Sequence, residues 1–194
     1  MFMKDWKKEV FTIPNILSMI RICMIPIYIR FYLKARNPKD YFLAAGILAI
    51  SCLTDMVDGQ IARKFQMVTT VGKILDPLAD KLTQLVLSLT LSLHYPVLRS
   101  VVYLLILKEL LQSTAALVLF RRGKVLDGSL WSGKIATTVL FVSDIALVLY
   151  PNFNPPVVNM IAVVDLSFLI FAFFNYGLAF CYQAVEIQNP DIGT

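Results

Sequence analysis

The chain has 194 residues, of which 58% are hydrophobic and only 16% charged. A water-soluble domain is closer to a quarter charged, and a core of this size has no room for that much apolar surface, so the composition excludes a soluble protein and predicts an integral membrane one. The net charge of +5 is explained by membrane topology and anionic lipid, and calls for no nucleic acid.

Taken in chain order, residues 1–12 mix Lys4, Asp5, Lys7, Lys8 and Glu9 with Phe2, Trp6 and Val10 at helical spacing. That pattern predicts a short amphipathic helix lying in the membrane interface, with no small-residue cleavage site after it. Six apolar spans then fill residues 13–186, and a tail covers 187–194. Their expected bounds are Pro14–Tyr32, Tyr41–Ile61, Ile74–Leu93, Val97–Phe120, Trp131–Tyr150 and Pro156–Tyr182. The joints are short and neither repeat nor linker is present, so the expectation is a single all-α membrane domain. Cys23, Cys52 and Cys181 are far apart in apolar context and read as small buried hydrophobes.

Orientation follows from lysine and arginine. With the N-terminus in the cytoplasm, that side carries Lys4, Lys7, Lys8, Arg21, Arg63, Lys64, Lys73, Lys81, Arg121, Arg122, Lys124 and Lys134. The far side carries Arg30, Lys34, Arg36, Lys39 and Arg99, and Lys108 falls inside span four. Twelve against five puts both termini in the cytoplasm and the protein in the cell membrane.

The end of span two and the start of span three are unlike the rest. Asp55 and Asp58 are three residues apart and Asp76 and Asp80 four apart, so each pair shares one helix face. Four carboxylates in a partly apolar setting repel one another unless they are neutralised, and a hard divalent cation does that better than Arg63, Lys73 or Lys81. A salt-bridge network at a helix end is the bland alternative; it suits one aspartate better than four. Gly59 and Ala62 leave room for a ligand or a neighbouring helix, Gly72 opens the far side of the loop, and Arg63 suits bidentate phosphate contact. Together these residue types suggest phosphoryl transfer on a diphosphate substrate, with the site on the cytoplasmic side.

The spacing Asp55-x₂-Asp58-Gly59-x₂-Ala62-Arg63-x₈-Gly72-x₃-Asp76-x₃-Asp80 resembles the full signature of the CDP-alcohol phosphotransferases. The stretch Ile13-Pro14-Asn15-Ile16-Leu17-Ser18-Met19-Ile20-Arg21 is similar to the phosphatidylglycerophosphate and cardiolipin synthase branch, with Ser18 where threonine is commoner. The resemblance covers residues 13–135; beyond them the agreement is in hydropathy only. It implies that Asp55, Asp58, Asp76 and Asp80 hold Mg²⁺ or Mn²⁺ against the diphosphate of CDP-diacylglycerol. Gly59, Ala62 and Gly72 would make room for the cytidine, and Arg63 with Lys73 would hold phosphate. Asp80 would be the general base on the acceptor hydroxyl, with CMP leaving. The family also suggests a homodimer.

For the acceptor, glycerol 3-phosphate is expected, with phosphatidylglycerol, inositol phosphate or serine behind it. An anionic acceptor needs cations, and Arg21, Arg121 and Lys134 (with Arg122) are candidates. So is Lys108, a costly charge at its depth that alternatively pairs with Glu109. Asp144 and Asp165 have no expected catalytic role. Two other classes compete. Intramembrane prenyltransferases also bind diphosphate through aspartates, but with more spans, and cation transporters show repeats or broken helices that are absent here.

Overall fold

In a computed structural model, the backbone is described for residues 12–64, 72–121 and 131–188. The side chains of 13, 14, 38, 55–64, 73, 74, 120, 121 and 184–188 lie outside that description, as does the expected interfacial helix. The described residues form six long helices and contain no strand. They are α1 (Ile13–Lys34), α2 (Pro38–Lys64), α3 (Gly72–His94), α4 (Arg99–Arg121), α5 (Trp131–Leu149) and α6 (Pro155–Gln188), with a 3₁₀ turn at Pro96–Leu98 before α4.

Prolines sit at the starts, where a missing N–H costs nothing: Pro38 opens α2 and Pro155 opens α6. Asp40, in the first turn of α2, accepts the backbone N–H groups of Arg36 and Asn37, each at 3.0 Å. Those two bonds hold its carboxyl below the ordinary carboxylate range and tie the α1–α2 turn to the N-terminus of α2.

The burial pattern is that of a membrane protein. Large apolar side chains such as Phe42, Leu53, Leu93, Leu110, Val163, Phe171 and Leu178 are exposed, whereas Asn15, Ser18, Arg21, Lys108, Asp144 and Asp165 are buried. In water that arrangement is unfavourable twice over; in hydrocarbon the apolar face needs no cover and the polar groups need partners inside. Buried positions fall in stripes three and four residues apart. On α6 the stripe is Val158, Ala162, Asp165, Leu169, Ala172 and Tyr176, and small residues in it let neighbouring helices approach closely.

Four segments are long and apolar enough to cross a bilayer: Asn15–Lys34, Pro96–Leu119, Trp131–Leu149 and Pro155–Gln183. Helices α2 and α3, at 27 and 23 residues, are of spanning length too, but charged residues near the aspartate end lower their apolarity. The six expected spans overlap these helices, whose starts are within three residues of the expected positions, and four of the six meet the length and apolarity needed to cross; α6 runs on to Gln188.

The chain divides into two compact units, Met1–Leu91 with Ile145–Asn152, and Ser92–Asp144 with Phe153–Thr194. In the first, α1 packs along α2, and Tyr28 meets Thr90 of α3 through their hydroxyls at 3.1 Å. Tyr32 stands edge-on to Tyr41 with ring centroids 5.5 Å apart. In the second unit α4 packs along α6, and α5 is joined to α6 by the Ser143 hydroxyl, which donates to Asp165 at 2.9 Å.

Candidate active site

The α3 half of the aspartate motif is built on its first turns. Asp76 and Asp80 are one turn apart and Pro77 lies between them. With no N–H to donate back to the Lys73 carbonyl, Pro77 loosens the turn that carries the pair. Both carboxylates stay accessible, with side chains 43% and 53% exposed.

Helix α1 supplies their partners. The Arg21 side chain is buried to 2% exposure, and its Nη1 donates to Asp80 Oδ1 in a close ion pair. The same nitrogen lies 3.6 Å from Asp76 Oδ1, and the Ser18 hydroxyl donates to that oxygen at 3.2 Å. One buried guanidinium thus serves two carboxylates, and a hydroxyl one turn earlier on α1 steadies the first of them. A guanidinium is well suited to this because its donors fan out in a plane, several of them reachable by different acceptors.

Sequence reasoning grouped Arg21 with Arg121 and Lys134 in a basic pocket; its described partners are Asp80 and Asp76. It missed Ser18 as a partner of Asp76. The signal was in the same nine residues, where a serine and an arginine three apart occupy one region of an otherwise apolar helix.

The α2 half of the motif lies on the last turns of that helix, where Asp55, Asp58, Gly59, Ala62 and Arg63 are helical. Their side chains are outside the described residues, as are those of Lys73 and Arg121. Among the described residues no three acidic, histidine or cysteine side chains converge as a metal site. The donor set that is described, two accessible carboxylates one turn apart with no nitrogen or sulfur ligand beside them, fits a hard cation of the Mg²⁺ or Mn²⁺ kind.

The other cationic candidates lie in the second unit. Lys108 is buried and its Nζ is 2.6 Å from Glu109 Oε1, an ion pair on adjacent residues. Lys134 is exposed, with Nζ 5.6 Å above the Trp131 ring, close enough for a cation–π contact. Gly133 beside it has no space for a side chain: an added Cβ would stand 2.4 Å from the Tyr176 hydroxyl and 2.7 Å from its ring. Tyr176 on α6 therefore seats the first turn of α5 through a contact that only glycine permits. Asp165 is buried against Ser143, and Asp144, the residue after Ser143, is buried as well.

Comparison with known proteins agrees with the motif. The family model for CDP-alcohol phosphatidyltransferase matches residues 11–174. The chain is 31% identical over 166 residues to the probable phosphatidylglycerophosphate synthase of Mycobacterium tuberculosis, covering 84% of this chain and 78% of that one. Over 71 residues, 36% of this chain and 38% of the relative, it is 45% identical to the CDP-diacylglycerol–glycerol-3-phosphate 3-phosphatidyltransferase of Rickettsia bellii. A putative cardiolipin synthase of Mycobacterium bovis is 28% identical over 181 residues, 93% of this chain and 85% of that one. The eight-position aspartate signature, the helices with exposed apolar and buried polar side chains, and these matches have one meaning: the chain belongs to the CDP-alcohol phosphatidyltransferase family and is a membrane-embedded transferase of phospholipid biosynthesis.

Proposed function

We propose that the protein transfers the phosphatidyl group of CDP-diacylglycerol to glycerol 3-phosphate, giving phosphatidylglycerol phosphate and CMP. The observation that carries this reading is the buried Arg21 held against Asp80 and Asp76. A neutral alcohol has no use for a guanidinium beside the base, whereas a phosphorylated one does. Arg21 sets a planar fork of donors beside the base, the geometry that a phosphate accepts bidentately. The names of the Mycobacterium and Rickettsia relatives support the same acceptor.

In this reading Asp55, Asp58, Asp76 and Asp80 hold a divalent cation, Mg²⁺ or Mn²⁺. When bound, it neutralises the diphosphate and the charge developing on departing CMP. Gly59, Ala62 and Gly72 give the cytidine room, and Arg63 and Lys73 bind phosphate. Asp80 accepts the proton of the acceptor hydroxyl as that oxygen bonds to the phosphorus carrying diacylglycerol and the bond from that phosphorus to CMP breaks. Arg21 orients the Asp80 carboxylate and the acceptor phosphate together, and Lys134 with Arg121 adds positive charge for the acceptor. Lys108 reaches an acceptor only by giving up Glu109, a cost that exposed Lys134 does not carry.

The same proposal has six spans in a single domain, an interfacial helix over residues 1–12, and both termini with the aspartates on the cytoplasmic side of the cell membrane. The bias of lysine and arginine supports that orientation. A homodimer belongs to it on the strength of the family resemblance alone.

A second acceptor, phosphatidylglycerol with cardiolipin as product, has the Mycobacterium bovis relative in its favour. Purified protein given CDP-diacylglycerol, Mg²⁺ or Mn²⁺ and labelled acceptor decides between them. Lipid-soluble label from glycerol 3-phosphate, with CMP released, is the expected result. Cardiolipin from phosphatidylglycerol would replace the acceptor, and no turnover with glycerol 3-phosphate, phosphatidylglycerol, inositol phosphate or serine would sink the proposal.

A further inference from the structure

At the other end of α1 from Arg21, the first unit has an open cleft of about 220 Å³ lined by Arg30, Phe31, Lys34, Asp40 and Leu43. Arg30 and Lys34 are one helical turn apart, so both cations border the same opening. Both are exposed, and among the described residues neither is in an ion pair. The lining carboxylate, Asp40, is occupied: its Oδ2 already accepts two backbone N–H groups. Arg36 and Lys39 stand close by in sequence, so the local charge is well positive.

These cations lie at the wrong end of the span for topology. Asn15–Lys34 is long and apolar enough to cross the bilayer, and α2 follows with Asp40 and Asp58 near its opposite ends, about 27 Å apart at 1.5 Å per residue. Arginine and lysine on the far side work against the orientation that the remaining charges favour, and the active site does not account for them. The apolar wall sets the nature of the compensating ligand. Phe31 and Leu43 are 44% and 58% exposed beside the cations at a span end. That juxtaposition suits a molecule with a phosphate at headgroup level and hydrocarbon below it.

We infer that the cleft between the C-terminal turn of α1 and the N-terminal turn of α2 binds the headgroup phosphate of an anionic phospholipid in the leaflet opposite the aspartates. Arg30 and Lys34 hold the phosphate while Phe31 and Leu43 line the start of an acyl chain. The site is separate from the transferase centre, and its ligand is a resident lipid and not a reactant.

The test uses the full chain in phosphatidylcholine nanodiscs titrated with phosphatidylserine, which is neither acceptor nor product in the proposed reaction, with bound lipid counted by native mass spectrometry. The Arg30→Gln/Lys34→Gln variant is expected to bind phosphatidylserine about thirtyfold more weakly, roughly fivefold for each cation removed. The charge-keeping Arg30→Lys/Lys34→Arg variant should bind within a few-fold of wild type, which separates lost charge from lost fold. Equal binding by wild type and the glutamine variant overturns the inference. So does inorganic phosphate displacing the lipid at matched concentration, because the site would then be one for a soluble anion.

Discussion

In the proposed reaction, Arg21 is the residue on which the chemistry turns. It lies on the helix that opens the described chain, far in sequence from the aspartates, and is buried with its charge satisfied by Asp80 and Asp76. A buried guanidinium with two accessible carboxylates is both a structural clamp and a place where an anion can displace or share a partner. Replacing it with lysine keeps the charge and loses the planar fork, so binding of a phosphate alongside the carboxylates suffers most. Arg21→Lys is expected to raise the KM for glycerol 3-phosphate about ten- to a hundredfold, the worth of a hydrogen bond to a charged group. The KM for CDP-diacylglycerol should change little. Steady-state kinetics with each substrate varied in turn checks this; an unchanged KM for glycerol 3-phosphate would remove Arg21 from the acceptor site.

Among the elements, α5 depends on α6 for the placement of its first turn. An added Cβ at Gly133 would lie within 3 Å of three Tyr176 side-chain atoms, and Tyr176 is itself in the buried stripe of α6. Gly133→Ala should therefore destabilise the protein by about 1–3 kcal/mol, the usual cost of overpacking. A small residue at 176 should recover part of that loss, because the clash disappears with the ring. Thermal unfolding of Gly133→Ala, Tyr176→Ala and the double variant in detergent gives the coupling; simple additivity would contradict the contact.

The helices themselves were legible in the sequence because apolar blocks of spanning length, punctuated by Pro38 and Pro155, leave few alternatives. Which face of each helix points inward was not. In a bilayer both faces are apolar, so the hydrophobic period that marks a soluble helix is absent, and stripes such as Val158–Ala162–Asp165–Leu169 emerge only from packing. The aspartate motif was legible from spacing and residue type. The pairing of Arg21 with Asp80 was not, because it joins positions 59 apart and no local pattern encodes which helix lies beside which.

Across the whole molecule, the burial pattern is inverted relative to a soluble protein. Large apolar side chains are exposed, while Ser18, Arg21, Asp76 and Asp80 meet at one end of α1 and α3. In the proposed reaction a water-soluble acceptor, a lipid-linked nucleotide and the carboxylates would meet at a common membrane surface. In the proposed orientation Arg30 and Lys34, at the other end of α1, lie at the opposite surface. In the proposed reaction one carboxylate takes the acceptor proton, and Asp80 is the more exposed and more closely held of the two beside Arg21. The decisive measurement is CMP release by wild type and Asp80→Asn at saturating CDP-diacylglycerol, Mg²⁺ and glycerol 3-phosphate, with CDP-diacylglycerol binding measured on the same preparations. The account predicts that turnover falls at least about a hundredfold while CDP-diacylglycerol still binds; an Asp80→Asn enzyme that releases CMP at close to the wild-type rate would contradict it.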